Sequence, residues 1–256
     1  MYRLDNNFAR GRFTVTVVGC GGTGGFVAEG LCRILPAQAS LVLVDHDRVE
    51  ERNLGRQNFY REDIGRFKSE ALAQRLAGRF QRTVAYSLYP VRQLGFRPSL
   101  VIGCVDNGPA RSDIAWLVQQ QRIWWIDAGN GDNFGQVLIG SRVIEGLRSS
   151  FDSEQCHALP LPTVQRPDIL AQVPRGRSCA EAVQAGEQSA TINQIMAALV
   201  LEAVRRLIEG TCPWMQLYVD MEAGTLMPVL ATPENVSAIT GIEKRHLMIK
   251  PKEVKA

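Results

Sequence analysis

The chain has 256 residues, 45% hydrophobic and 21% charged, with a formal net charge of +3, an ordinary composition for a globular enzyme of one large or two small domains. The charge is too small to indicate nucleic acid, no apolar run approaches the ~18–20 residues of a membrane span, and the first residues lack the apolar core of a signal peptide. The six cysteines, at positions 20, 32, 104, 156, 179 and 212, are scattered without a CxxC pair, so reduced thiols in a cytoplasmic protein are expected, without a disulfide framework or zinc site.

Residues 15–18 read as a β-branched strand that runs into Gly19-Cys-Gly-Gly-Thr-Gly24. A helix and a second strand, 41–44, ending at Asp45, complete a nucleotide-binding βαβ unit. Gly19, Gly21 and Gly24 satisfy GxGxxG: the first permits the tight turn, the second admits phosphate to the backbone, and the third lets helix approach strand. Amides at the new helix's N-terminus, carrying about half a positive charge from the macrodipole, then face the ligand.

Residues 63–78 predict a helix, 83–89 a strand, and 100–105 a strand ending at Asp106-Asn107. A helix through Ile114 to Gln121 leads to a buried strand at 123–126, where Trp124 and Trp125 are core residues. A turn is expected over 127–135, with Asp127 and Asn130 open to a role in admitting a substrate tail. An antiparallel strand follows over 136–143. Four prolines at 160, 162, 167 and 174 mark an irregular crossing segment. Residues 180–209 are helical, with Ile192, Ile195, Met196, Leu199 and Val200 on one face, and 216–221 pairs with 226–230 as a hairpin. The expectation is one α/β domain over 1–256: a Rossmann-like, mostly parallel sheet with helices on both faces. Its parts are a nucleotide-binding core (13–140), a crossover loop (145–178), a helix and C-terminal antiparallel hairpin (179–230) and a tail (231–256).

Asp45, Asp47, Asn53, Arg56, Gln57 and Lys68 follow one another closely. A nicotinamide enzyme needs only Asp45, for a ribose hydroxyl; adenylation has a use for all of them. When a carboxylate attacks the α-phosphorus of ATP, charge builds on phosphate oxygens as pyrophosphate leaves, and catalysis is positioning plus cations. Arginine supplies a planar fork and lysine a mobile point charge. Asp106, at the C-terminal edge of a sheet strand, is placed to give magnesium its hard oxygen ligand.

The blocks Gly19-Cys-Gly-Gly-Thr-Gly24, Val44-Asp-His-Asp-Arg-Val-Glu50, Asn53-Leu-Gly-Arg-Gln57, Asp63-Ile-Gly-Arg-Phe-Lys68 and Cys104-Val-Asp-Asn107 resemble, in order and spacing, the ThiF/MoeB family, the activating enzymes of ubiquitin-like and sulfur-carrier proteins. The resemblance is strong over about 13–140 and weaker over 178–210; the Asn53–Gln57 wording and short chain look most like the ThiF-type member of the bacterial PRTRC cassette. It implies ATP-dependent adenylation of a small carrier protein's C-terminal carboxylate, with Mg2+, by a homodimer that hands its product to a conjugating-enzyme partner or to sulfur transfer. Position by position it implies that Gly19, Gly21, Gly22 and Gly24 form the phosphate loop and Asp45 holds the ribose beside Asp47. Asn53, Arg56 and Lys68 would contact phosphates supported by Gln57, and Asp106, followed by Asn107, would ligate the metal.

Cys179, between Arg175-Gly-Arg177 and a helix, resembles the family's cysteine that takes the activated acyl group; a capping residue is the competing reading. Cys156 beside His157 is a second nucleophile candidate. Among Arg3, Arg10 and Arg12, Arg10 is the preferred counterpart of the arginine that relatives donate to a partner subunit's site. The alternatives are a nicotinamide-dependent oxidoreductase, a tRNA-modifying dehydratase and a non-catalytic scaffold for a ubiquitin-like protein.

Overall fold

A computed structural model describes residues 1–171 and 190–250. The first βαβ unit is β2 (Thr14–Val18), α1 (Gly22–Ile34) and β3 (Ser40–Val44). It is followed by α2 (Lys68–Phe80), β4 (Val84–Ser87), β5 (Leu100–Gly103), α3 (Gly108–Gln121) and β6 (Trp124–Asn130). Strands β4, β3, β2, β5 and β6 lie side by side, all parallel. The crossover to β3 goes one way from β2 and that to β5 goes the other. Their C-terminal ends therefore open a crevice at a topological switch point.

Beyond β6 the sheet turns antiparallel through β7 (Phe134–Gly140), β9 (Trp214–Asp220) and β10 (Thr225–Leu230), giving, among the described residues, eight strands in the order β10-β9-β7-β6-β5-β2-β3-β4. A separate short pair joins β1 (Arg3–Leu4) to β8 (Gln155–Cys156). The mixed sheet and C-terminal hairpin agree with the expected class.

Alternation along the strands feeds two cores. Leu41 and Leu43 of β3, Leu100 and Ile102 of β5, and Trp124 and Ile126 of β6 face one side, with Leu31 of α1, Leu72 of α2 and Val200 of α5 (Ala190–Glu209). Val42 and Val44, Val101 and Trp125 face the other, against Ile114, Leu117 and Val118 of α3. Helices thus cover both faces, and both tryptophans are core residues, as expected.

Four expectations shift. The helix expected from 63 starts at Lys68, because Gly65 takes φ +84° and the buried Asp63 accepts the Tyr60 amide at 3.1 Å. Residues 127–130, read as turn, extend β6, since Asn130 still pairs with Gly135. The crossing segment is irregular through residue 171 but packed, with Leu147, Phe151, Leu159 and Ile169 fully buried around α4 (Pro162–Gln165). Residues 231–250, read as tail, fold instead as α6 (Pro233–Thr240) and α7 (Lys244–Leu247). Apolar Ala231, Val236 and Leu247 join the core there, and the Ile249 amide donates to Phe151 O at 2.7 Å.

Asp127 sits inside β6 without solvent access, so it does not admit a substrate tail. Its carboxylate accepts from Arg111 Nε of α3 at 3.1 and 3.2 Å, fixing the helix whose N-terminus follows Asp106. Burial pushes the Asp127 carboxyl up to about 6 against the pull of Arg111. Arg111→Ala strands a buried charge and should cost about 3–5 kcal/mol at neutral pH. Without Arg111 burial raises the carboxyl further, so the variant's native state takes up the proton at a higher pH than the parent's, and the deficit shrinks as pH falls towards about 6, below which both are protonated. Urea unfolding of both chains at pH 5 and pH 8 checks the size and the sign.

Candidate functional site

The glycine turn is dictated by contact distances. Gly19 has φ +87°, and a Cβ there would lie 2.6 Å from Cys104 O; one on Gly24 would lie 1.8 Å from Gly19 O. Gly21 differs: its Cβ would meet nothing closer than Gln57 Nε2 at 3.7 Å. A methyl group there would sit in ordinary van der Waals contact with the Gln57 amide, so contact distances alone do not demand glycine at 21. Gly21 caps α1 with no side-chain bond, and no acid stands in the first turn among the described residues, so positive partial charge is presented outward.

Asp45 closes the turn. Its Oδ2 accepts the Cys20 amide at 2.7 Å and its Oδ1 the Asp47 amide at 2.8 Å, and its carbonyl accepts from Ser69 Oγ at 2.6 Å. Burial pushes its carboxyl up, while Lys68 and the two amides pull it down. Each oxygen keeps a lone pair, enough for ribose hydroxyls.

Lys68, at the head of α2, is buried apart from its tip, with Nζ 3.0 Å from Asp47 Oδ2. Gln57 is 8% exposed, and its buried Oε1 has no hydrogen-bond partner among the described residues. The orphaned oxygen, beside Gly21, is an acceptor suited to a water or a ligand hydroxyl. Arg56 is partly exposed in the same loop. Buried Asn53 uses its Oδ1 on the Glu50 amide at 2.9 Å, and Asn107 caps α3 through Ala110 N at 2.9 Å, so both side chains have structural tasks. Asp106 is exposed at the end of β5, touched by Asn107 Nδ2 at 3.3 Å. Its remaining lone pairs are open to a hard cation, which suits magnesium, held by few carboxylates plus water and phosphate. Among the described residues, Asp45, His46 and Asp47 also place three ligand atoms within 4.8 Å of one another, with Asp47 already engaged by Lys68.

The sequence reading missed Asn193. It lies on α5, 2% exposed, against Gly22, where a Cβ would fall 2.5 Å from its amide nitrogen. The available signal was an amide inside the apolar stripe of Ile192 and Met196.

Cys156 is corrected: it is fully buried, its thiol donates to Ala158 O at 3.3 Å, burial pushes its pKa up, and His157 turns to Asp5 and Asp152. Burial likewise raises Cys20, Cys32, Cys104 and Cys212. Cys179, with Arg175 and Arg177, lies outside the described residues. Arg3, Arg10 and Arg12 are exposed and precede β2, whose N-terminal end is the far end from the crevice. No helix among the described residues is long and apolar enough to cross a membrane.

The profile of the ThiF family matches residues 10–217. A ubiquitin-like modifier-activating enzyme 5 of Drosophila ananassae is 31% identical over 137 residues, 46% of this chain and 34% of that protein. The sulfur carrier protein adenylyltransferase of Thermus thermophilus is 29% identical over 234 residues, 83% of this chain and 76% of that protein. This chain spans about a third of the length of the activating enzymes it matches. In fold it is similar to Escherichia coli MccB, whose crystal structure with ATP superposes with a TM-score of 0.63 at 16% identity, over 87% of this chain and 64% of that one.

Gly24 and Gly21 predict opposite tolerances. Gly24→Ala should lower the melting temperature by about 5–10 °C or prevent folding, and Gly21→Ala should stay within about 4 °C of the parent. Thermal unfolding followed by circular dichroism separates them.

Proposed function

Because the chain belongs to the ThiF family, we propose that it uses ATP to adenylate the C-terminal carboxylate of a small ubiquitin-like or sulfur-carrier protein. The observation that carries the reading is the convergence of the α1 start, which has no side-chain cap, with Asp45 and the Asp47–Lys68 pair at the C-terminal edge of the sheet. A phosphate at that helix start would meet the positive end of the helix dipole and the charge of Lys68. Similarity to a sulfur carrier protein adenylyltransferase and to ubiquitin-like modifier-activating enzymes supports the substrate class.

In this reading Asp45 holds the ribose through the lone pairs left by its two amide bonds, with Asp47 beside it. Gly19, Gly21, Gly22 and Gly24 shape the phosphate cradle, and Asn53 and Asn107 keep its rims folded. Lys68 and Arg56 face the triphosphate; Lys68 leaves Asp47 for phosphate oxygens at little cost, exchanging one anion for another. Asp106 would hold magnesium, which when bound neutralises phosphate charge. The carrier's carboxylate oxygen attacks the α-phosphorus, the bond from that phosphorus to the bridging oxygen breaks, and pyrophosphate leaves with the electron pair, giving an acyl-adenylate. Catalysis is positioning and cationic stabilisation, which is what these groups supply. The nicotinamide alternative uses the glycines and Asp45 and leaves Lys68, Arg56 and Asp106 without a task.

We extend the proposal to a second step on Cys179: its thiolate attacks the acyl carbon and AMP departs, leaving a thioester.

Labelled pyrophosphate should enter ATP when the carrier is present and not in its absence. Lys68→Ala and Asp106→Ala should each lower that exchange by about 10²–10³-fold. Exchange that survives both substitutions refutes the site. Cys179→Ala should leave exchange at the parent rate while removing any reductant-sensitive carrier adduct on denaturing gels.

A further inference from the structure

Asn193 enters the crevice from α5 and meets three other segments at once. Its Oδ1 accepts from Thr23 Oγ1 at 3.4 Å and from Asn130 Nδ2 at 3.2 Å, and its Nδ2 donates to the Arg56 carbonyl at 3.4 Å. Thr23 Oγ1 also reaches Asn130 Oδ1 at 3.3 Å. The first turn of α1, the end of β6 and the loop that carries Arg56 are thereby tied to a single buried amide. On an apolar helix face such an amide costs desolvation unless it is bonded, and here its bonds are spent on the phosphate-facing end of the site.

The position of α5 does not depend on that amide. A Cβ on Gly30 would lie 2.2 Å from Leu201 Cδ1, and one on Gly135 would lie 2.2 Å from Met196 Sδ. The pairs Gly22–Asn193 and Gly30–Leu201 keep the same spacing along both helices, so α1 and α5 run parallel in one register. Apolar contacts hold the helix, while the amide adds only polar bonds to the crevice. Gly22 has no side chain because Asn193 fills the place where a Cβ would stand.

Resting on the adenylation reading, we propose that Asn193 is a positioning residue for the polyphosphate. It sets the first turn of α1 and the backbone of Arg56 relative to each other, so that amides and guanidinium converge on the same phosphates. The nucleoside end, held at Asp45, is independent of it.

The test compares Asn193→Ala with the parent for binding of Mg-ATP and of adenosine, which has no phosphate. The dissociation constant for ATP should rise by about tenfold or more and that for adenosine by less than about threefold. Equal weakening of both ligands, or unchanged ATP affinity, overturns the proposal. A parent chain that binds no ATP takes down the adenylation reading and this inference together, whereas a parent that binds ATP as tightly as its variant takes down this inference alone. Melting temperatures supply an arm that needs no nucleotide. Gly22→Ala should cost about 5 °C or more in the parent and less than about 2 °C in the Asn193→Ala background. Equal losses in both backgrounds remove the contact on which the proposal stands.

Discussion

The two oxygens of Asp45 accept amide protons from Cys20 and Asp47, and that grip shapes the crevice that the switch point opens. The glycine turn leaves β2 and the next loop leaves β3; without a shared anchor their free amides would be solvated independently. One carboxylate at the end of β3 pulls both inward, and Ser69 fastens the head of α2 to the same residue. Lys68 then has to stand beside Asp47. A cation, an acid and a row of backbone amides are brought to one place by a residue whose second lone pairs remain for a ligand.

Polar groups in this site divide between holding the fold and facing the ligand space. Asn53 and Asn107 bond the amides of their own turns, which keeps the Arg56 loop and the start of α3 in place. Gln57 Oε1 is buried and unpartnered among the described residues, beside Gly21. A protein that leaves an amide oxygen desolvated gives up free energy, and such a cost is tolerated where a bound molecule later repays it. The buried Arg111–Asp127 pair works at a distance from that space: it locks α3 against β6 and so fixes the helix start that follows the exposed Asp106.

Much of this was legible in the residues. GxGxxG and the following Asp45 report a βαβ unit because each glycine answers a backbone contact, and Gly19 and Gly24 do meet Cys104 O and Gly19 O. Less legible were features that depend on partners far along the chain. Asp127 looked like a turn residue, since aspartate disfavours strands; Arg111, on the preceding helix, makes it a strand residue. Cys156 beside His157 looked like a nucleophile pair, yet strand β8 turns the thiol into the core and the imidazole toward two carboxylates. The segment after 230 looked like a tail, but Val236 and Leu247 each find a closed site.

The sequence by itself determined the nucleotide-binding βαβ unit, its glycine turn and the set of polar side chains that follow, because those signals lie within one element and its neighbour. Tertiary structure alone decided which of those side chains are occupied by the fold and which stay open, and it brought Asn193 to Thr23, Asn130 and Arg56. Hydrogen bonds act over about 3 Å, and no local pattern reports which distant residue will be within that reach once the helices have packed.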